Sequence, residues 1–461
     1  SFAVRYNQCT CGIMVTASHN PPKDNAVKVY GESGGQMVPP DDKDSIEMMK
    51  SVETIEREDF QTALSEGRIV YCQEETDRQF FAAVMTQSTS GPRDLKVIYS
   101  PLHGVGASAV PPVLAEAGFA DVEIFGPHAE SDPDFPNVPN NTANPENPRV
   151  FDPIIERAKE TGAELIMATD PDCDRVGVAA PLTLEPGSEW GTLTGNQTGA
   201  LLTHYLLSQR YAAGKMTPSH YVVKTLVTTE LIEKIAADYD ARMIGDLQVG
   251  FKWIGATIDQ EGEDNFVFGA EESYGYLAGT HVRDKDAAVI SMILAEYTAQ
   301  LKSRGLTLHQ MLDQLFEKHG CHSESQFSIM MPGASGMDDM RRLMGRLRCQ
   351  PPCSLGGLRM LEFSDYLSLT RSDLDGGGGT FTGHKGDMVI LHLEGAGNRV
   401  AIRPSGTEPK VKFYMFAADS PTPLAEVPAI KQKQVELMKA MADDIRAYAE
   451  ADPDNKCPCQ V

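Results

Sequence analysis

The sequence predicts an α/β protein of several domains that ends in a segment of α+β character, and three observations carry that prediction. Compact apolar runs of strand length alternate with helical periodicity from the N-terminus to about residue 320. Polar loops follow directly on several of those runs, at Ser100–Gly106, Asp170–Arg175 and Gly269–Gly275, where ligands bind in α/β sheets. Beyond residue 320 the alternation breaks, and mixed strands and helices lead into one long helix over about 428–448. A length of 461 residues is consistent with about three domains, or four small ones.

Taken in order, Cys11–Val15 reads as a short buried strand, ended by Asn20-Pro21-Pro22 because proline lacks a donor and restricts the residue before it. Val27–Tyr30 is a short strand, Gly31–Gly35 a turn, and Asp41 or Asp42 opens a helix through Met49. Leu95–Tyr99, a helix to Gly118 and Val122–Phe125 form a βαβ unit. Residues 127–148, rich in Pro and Asn, read as a long loop, functional or mobile. A helix from Pro153 to Thr161, stopped by Gly162, precedes the buried strand Leu165–Met167. Strands at Tyr221–Val223 and Phe266–Phe268 flank a loop at Val249–Trp253, and Asp286 caps an amphipathic helix that runs to Gly305. The last segment offers strands at Phe327–Met331, Met388–Leu393 and Val411–Phe416, a helix at Met337–Leu347, a flexible turn at Ser372–Gly379 and a frayed Cys-Pro-Cys tail.

The formal net charge is −24, from 65 acidic against 41 basic residues. That field repels nucleic acid and anionic membranes, so neither is an expected partner, and an anionic substrate requires a local focus of cations. No apolar run approaches the roughly 20 residues of a membrane helix, and nothing reads as a signal peptide, so a cytoplasmic location is expected. Nine cysteines at low density fit reduced thiols, and the pairs Cys9/Cys11, Cys349/Cys353 and Cys457/Cys459 lack zinc-site spacing. The chain begins Ser1-Phe2-Ala3-Val4-Arg5, without Met and in helical register, which reads as a protein lacking an N-terminal part.

Four loops carry chemistry. Thr16-Ala17-Ser18-His19-Asn20-Pro21-Pro22 places a serine on a stiff turn beside His19, with Lys23 and Lys28 downstream, suited to accepting and donating a phosphoryl group. A helix-capping hydroxyl is the structural alternative. Asp170, Asp172 and Asp174 recur at every second position after a strand, and carboxylates so close repel unless a cation neutralises them, with all-oxygen ligation favouring Mg²⁺ or Ca²⁺. An EF-hand is excluded by Arg175 at the sixth position and Pro181 at the twelfth. Arg403-Pro404-Ser405-Gly406-Thr407-Glu408-Pro409-Lys410 offers a guanidinium fork, hydroxyls and accessible backbone N–H groups for a phosphate monoester. Gly269-Ala270-Glu271-Glu272-Ser273-Tyr274-Gly275 can accept hydrogen bonds from vicinal sugar hydroxyls, and Lys285 in His281–Asp286 is a phosphate ligand, a proton carrier or a helix-flanking ion pair.

With these motifs in the order Thr16–Pro21, Asp170–Arg175, Gly269–Gly275 and Arg403–Lys410, the chain resembles the α-D-phosphohexomutases. The segments Asn25–Tyr30, Ser100–Gly106, Gly250–Ile254 and Thr280–Ala287 resemble the phosphoglucomutase branch that includes phosphopentomutases. The resemblance implies a heart-shaped, four-domain molecule: three α/β domains with αβα layers and mixed sheets (1–92, 93–193, 194–319) and a C-terminal α+β domain (320–461). It implies a Mg²⁺-dependent isomerase in which phospho-Ser18 exchanges a phosphoryl group with a sugar monophosphate through a bisphosphate, one Mg²⁺ being held by Ser18, Asp170, Asp172 and Asp174. It implies Lys28, His19 and Lys285 as proton-transfer candidates, with Arg175 against sugar or phosphate. Glu271, Ser273 and Lys252 would bind the sugar, and Arg403, Ser405, Gly406 and Thr407 the distal phosphate. A sugar 1,6-bisphosphate would serve as activator, and a monomer or homodimer is expected.

Only 17 residues precede Ser18, whereas the family carries a longer segment there, with a Gly-rich, Arg-bearing stretch that contributes to the active site. Three readings therefore stand: a glucose phosphate mutase of carbohydrate metabolism, a sibling acting on mannose or pentose phosphates, and a catalytically inactive fragment that binds sugar phosphate.

Overall fold

In the computed structural model the first apolar run becomes β1 (Cys11–Val15), paired antiparallel with β2 (Val27–Gly31) so that Ile13 faces Val29 and Met14 faces Lys28. The structure describes residues 1–373, 377–406 and 408–451. The expectation of a buried β1 is corrected, since Ile13 is 70% and Val15 71% exposed. An uninterrupted apolar run carries no period that separates its two faces, and here only one face of a two-stranded ribbon is covered.

The chain forms two compact units, Ser1–Val223 with Gly250–His309, and Lys224–Val249 with Gln310–Val461. The first unit contains a mixed five-stranded sheet of β3 (Lys96–Ser100), β4 (Asp121–Ile124), β5 (Leu165–Thr169), β6 (Val176–Pro181) and β7 (Trp190–Leu193), in the order β4-β3-β5-β6-β7. β3 runs parallel to β4 and β5, whereas β5–β6 and β6–β7 are antiparallel. The helix Asp152–Thr161 stops where expected, at Gly162 in the left-handed region (φ 70°). All five residues of β5 are buried, and the Asp170–Arg175 loop is the turn that reverses the chain from β5 into β6.

At β8 (Tyr221–Thr225) the chain passes into the second unit, which holds β9 (Arg242–Leu247). Back in the first unit, β10 (Phe266–Ala270) pairs antiparallel with β11 (Tyr276–Ala278). The expected loop at Val249–Trp253 is largely helix, because Gly250 ends the irregular backbone and a helix runs from Phe251 to Glu261. Asp286 caps the helix Ala287–Ser303 by accepting hydrogen bonds from the N–H groups of Ala288 and Val289, and most of that helix is buried.

The second unit is built on an antiparallel sheet of β12 (His322–Met330), β13 (Ser354–Leu355), β14 (Leu358–Asp365), β15 (Thr370–Asp373), β16 (Gly378–Thr380), β17 (Val389–Leu393), β18 (Arg399–Pro404) and β19 (Lys410–Ala418). Its strands follow the order β12-β19-β18-β17-β14-β15-β16, with β13 beside β14. Helices Gly336–Cys349 and Val427–Glu450 bury Leu343, Leu347, Met441 and Ile445 against Leu391, Val400 and Phe413. On the alternate register positions Ile390, Ala401 and Tyr414 pack with Leu226 and Val227. Only the ends of the expected turn Ser372–Gly379 are strand, β15 pairing with β16, while 374–376 and the Cys-Pro-Cys tail lie outside the described residues. Cys353 is disulfide-bonded, where a reduced thiol was expected. Among the described residues no helix is long and apolar enough to cross a membrane.

Candidate active site

Ser18 stands in the left-handed region at φ 53°, a conformation that costs a non-glycine residue free energy and collects at functional sites. Its neighbours fix that turn. The Ser18 N–H donates to Thr16 Oγ1 at 2.9 Å, and the Thr16 hydroxyl donates to Asp172 Oδ2 at 3.1 Å. The Ser18 hydroxyl itself donates to Asp170 Oδ2 at 2.9 Å, and His19 Nδ1 lies 3.3 Å from Ser18 Oγ. A serine 152 positions away in sequence thus meets the aspartate loop directly.

That loop is built around Asp170, whose Oδ1 accepts from the backbone N–H groups of Asp174 and Arg175. Cys173, also left-handed at φ 58°, turns the chain so that Asp170, Asp172 and Asp174 present carboxylate oxygens within 4.8 Å of one another. Gly104 is required beneath it, since a Cβ there would lie 2.2 Å from Pro171 Cα. Two ammonium groups enter from other elements. Lys28 on β2 meets Asp172 Oδ2 at 3.1 Å and Asp174 Oδ2 at 2.9 Å, and Lys285 meets Asp174 Oδ2 at 3.1 Å. Arg175 folds back over the loop, its Nη1 3.0 Å from Glu146 Oε1 and its Nε 3.7 Å from Asp174 Oδ1.

The electrostatics follow. Burial would raise Asp174, but Lys285, Lys28 and Arg175 outweigh it and hold the carboxyl well below the usual range. Burial would lower Lys285 and Lys28, but Asp174 foremost among the carboxylates leaves both ammoniums raised. Asp170 goes the other way, since burial and the charges of Asp174 and Asp172 push it well above the usual carboxylate value. The two lysines leave Asp172 Oδ1 and Asp174 Oδ1 buried without a hydrogen-bond partner. A buried carboxylate that its neighbours discourage from ionising, beside two orphaned oxygens and a hydroxyl, is a donor set that fits a hard divalent cation.

The Gly269–Gly275 segment is the turn joining β10 to β11, with Tyr274 at φ 65°. It touches the aspartate turn through the backbone: the Val176 N–H donates to Tyr274 O at 3.1 Å, and Arg175 bridges Gly275. Gly275 leaves room for Lys285, because a Cβ there would fall 2.1 Å from Lys285 Cδ. Glu271 is buried, accepts the Gly250 N–H at 2.8 Å and is pushed up by burial. Ser273 is half-buried on the same turn. Lys252 does not join the aspartates; its ammonium pairs with Asp42 Oδ2 at 3.2 Å.

The remaining expected residues belong to the second unit. Arg403 lies near the end of β18, and Ser405 and Gly406 form the turn into β19, closed by the Ser405 N–H donating to Lys410 O at 2.9 Å. Thr407 lies outside the described residues. Sequence reasoning did not single out Thr16, Tyr30, Glu146 or Asp284 as individual site residues. Asp284 meets Tyr30 and Glu146 meets Arg175 across 254 and 29 residues respectively, separations for which no local spacing gives a signal.

Comparisons with known proteins agree with this geometry. Family models for phosphoglucomutase/phosphomannomutase alpha/beta/alpha domains match residues 1–56 (domain I), 78–182 (domain II) and 194–319 (domain III). The chain is 36% identical over 425 residues to a phosphoglucomutase of Staphylococcus haemolyticus, covering 90% of this chain and 74% of that one. It is 33% identical over 425 residues to a Haemophilus influenzae protein named as a phosphomannomutase, covering 90% and 79%. Among solved structures, a phosphoglucomutase/phosphomannomutase family protein from Burkholderia thailandensis superposes with TM-score 0.58 at 18% identity, over 94% of this chain and 76% of that chain. The open form of the phosphoglucomutase pp63/parafusin from Paramecium gives 0.60 at 17%, over 98% and 79%. The chain belongs to the phosphoglucomutase/phosphomannomutase family of isomerases, with three α/β/α domains followed by a C-terminal domain.

Proposed function

We propose that this protein is a sugar-phosphate mutase that interconverts 1- and 6-phosphates of glucose, with Ser18 as phosphoryl carrier. The observation that carries the reading is the Ser18 hydroxyl, held at a left-handed φ, 2.9 Å from Asp170 in a cluster of three carboxylates. Phospho-Ser18 gives its phosphoryl group to the free hydroxyl of a sugar monophosphate. The bond from phosphorus to Ser18 Oγ breaks, the bond to the sugar oxygen forms, the hydroxyl proton is given up and Ser18 Oγ takes one in its place, with His19, Lys28 and Lys285 the candidates for proton transfer. The resulting bisphosphate turns end for end, and its other phosphoryl group returns to Ser18 Oγ, which loses its proton while the sugar oxygen that is left behind takes one.

Ser18 Oγ, Asp170, Asp172 and Asp174 would hold one Mg²⁺, whose chemistry when bound is to offset charge on the transferring group. Lys28 and Lys285 keep Asp174 ionised and add positive potential at the reacting phosphoryl group. Glu271 and Ser273 accept and donate to sugar hydroxyls, and Lys252 lines the approach. Arg403, Ser405, Gly406 and Thr407 hold the phosphate that does not react. Work is thereby spread over the segments 1–92, 93–193, 194–319 and 320–461, one loop from each. A trace of sugar 1,6-bisphosphate serves as activator by recharging Ser18, and the protein acts in the cytoplasm as a monomer or homodimer.

The test is turnover with Mg²⁺ and a trace of bisphosphate, with glucose, mannose and ribose 1-phosphates run side by side. Glucose 1-phosphate is expected to win, and Ser18→Ala to lose at least ~10⁴-fold in kcat. A mannose or ribose preference that disappears with Ser18→Ala would keep the mechanism and change the sugar. No turnover with any of the three would sink the mutase reading in favour of a sugar-phosphate-binding protein.

A further inference from the structure

We propose that Asp284 is a positioning residue for the mutase reaction, acting through Lys285; the inference rests on the mutase reading. Asp284 is buried and each of its oxygens is engaged twice. Oδ2 accepts the Tyr30 hydroxyl at 2.8 Å and the Gln36 side-chain amide at 2.8 Å. Oδ1 accepts the Lys285 N–H at 2.9 Å and lies 3.4 Å from Lys285 Nζ. Four acceptor directions are thus filled, which a carboxylate can do and a carboxamide cannot.

The partners explain what the residue is for. Tyr30 lies on β2, the strand that carries Lys28, and Gln36 follows it on the turn that bridges back to Tyr30. Asp284 therefore ties the Lys28 strand to the loop of Lys285, and the backbone bridge from Gly35 to Arg283 runs alongside. Both lysines converge on one oxygen, Asp174 Oδ2, at 2.9 and 3.1 Å. Two ammoniums on one carboxylate oxygen repel each other, so their spacing needs a second anion behind one of them. Asp284 supplies it on the side of Lys285, and Phe251 closes the other approach with its ring centroid 5.7 Å from Nζ. With that anchor Lys285 keeps one direction, toward Asp174. Without it the side chain is free to leave the cluster.

The experiment is a double-mutant cycle of Asp284→Asn and Lys285→Met on the whole chain, read in kcat and KM with the sugar phosphate it prefers. Asp284→Asn is expected to lower kcat ~10- to 100-fold with KM changed by less than ~3-fold. It is expected to cost nothing further when Lys285 is already Met. Asp284→Glu, which keeps the charge, should recover most of kcat, and Tyr30→Phe, which removes one anchoring bond, should lose less than Asp284→Asn. Additive losses, or no loss in Asp284→Asn, would overturn the proposal. Labelling with acetic anhydride, followed by peptide mass spectrometry, reads Lys285 independently of turnover. Lys285 should be protected in the unaltered protein and labelled at least ~5-fold faster in folded Asp284→Asn or Tyr30→Phe. Equal labelling would overturn the positioning role even if no sugar phosphate turned over, an outcome that would separately sink the mutase reading.

Discussion

Two lysines stand at the centre of charged clusters, Lys285 in the first unit and Lys224 in the second, and their surroundings drive them in opposite directions. Lys285 meets Asp174 at 3.1 Å and Asp284 at 3.4 Å, and its ammonium is stabilised well beyond an ordinary lysine. Lys224, on β8 and 4% exposed, faces a carbonyl, Thr228 O at 3.4 Å. Burial and the nearby Arg399 charge pull its pKa from 10.5 to about 7, and Glu233, Glu324 and Asp246 only partly oppose that. Similar residue types are present at both places; contact distance to a carboxylate separates them. Charge is kept where carboxylates stand in contact with the ammonium, whereas in the second unit it is carried as a cost of folding.

Asp174→Asn attacks the first cluster at the oxygen both lysines share, so the largest effect is expected there. Turnover should fall at least ~10³-fold, since the substitution removes a carboxylate of the proposed metal set and the common anchor of two ammoniums. Activity within tenfold of the unaltered protein would show that the convergence on Asp174 is structural rather than functional.

Arg399→Met is the matching attack on the second cluster. Arg399 is 6% exposed, pairs with Glu230 and lies 4.3 Å from the Phe416 ring centroid. Its loss leaves Glu230, a third exposed to solvent, without that partner and removes the packing on Phe416, and should destabilise the second unit by about 1 kcal/mol. The measurement is hydrogen exchange in β17, β18 and β19, which should speed up together while β3 and β5 in the first unit stay protected. Faster exchange in both units alike would break the distinction between a local structural cluster and a catalytic one.

How much of this was legible in the sequence depended on distance along the chain. The Ser18 turn announced itself through Asn20-Pro21-Pro22, and the aspartates through their spacing, because both signals are local. Glu271 and Lys285 were legible only as candidates, on the polar stretches Gly269–Gly275 and His281–Asp286. The contacts that organise the site were not legible. Thr16 to Asp172, Lys28 to Asp174 and Tyr30 to Asp284 span 156, 146 and 254 residues, and a Tyr on an amphipathic strand reads only as core. Exposure of β1 was hidden for the opposite reason, since Cys11–Val15 is apolar throughout and offers no alternation to read. The ends of the Ser372–Gly379 stretch are strand because cross-strand pairing, Thr370 with Thr380 and Arg371 with Gly379, overrode the poor strand propensity of glycine.

The last expected effect is the most direct reading of the Lys224 environment. Because the native-state pKa lies near 7 and the unfolded one near 10.5, the unfolded chain binds more protons throughout that window. Stability should therefore rise with pH from about 7 to about 10, by at most ~1.4 kcal/mol per pH unit from this one group. Below about 7 the lysine is charged in both states and its cost is constant. Other groups titrate in the same range, so the observable is the difference in slope between the unaltered protein and Lys224→Met, from urea unfolding at pH 7, 8 and 9. The variant should show the flatter line. Equal slopes would mean that Lys224 keeps its proton in the fold as Lys285 does, and the two clusters would then differ in position alone.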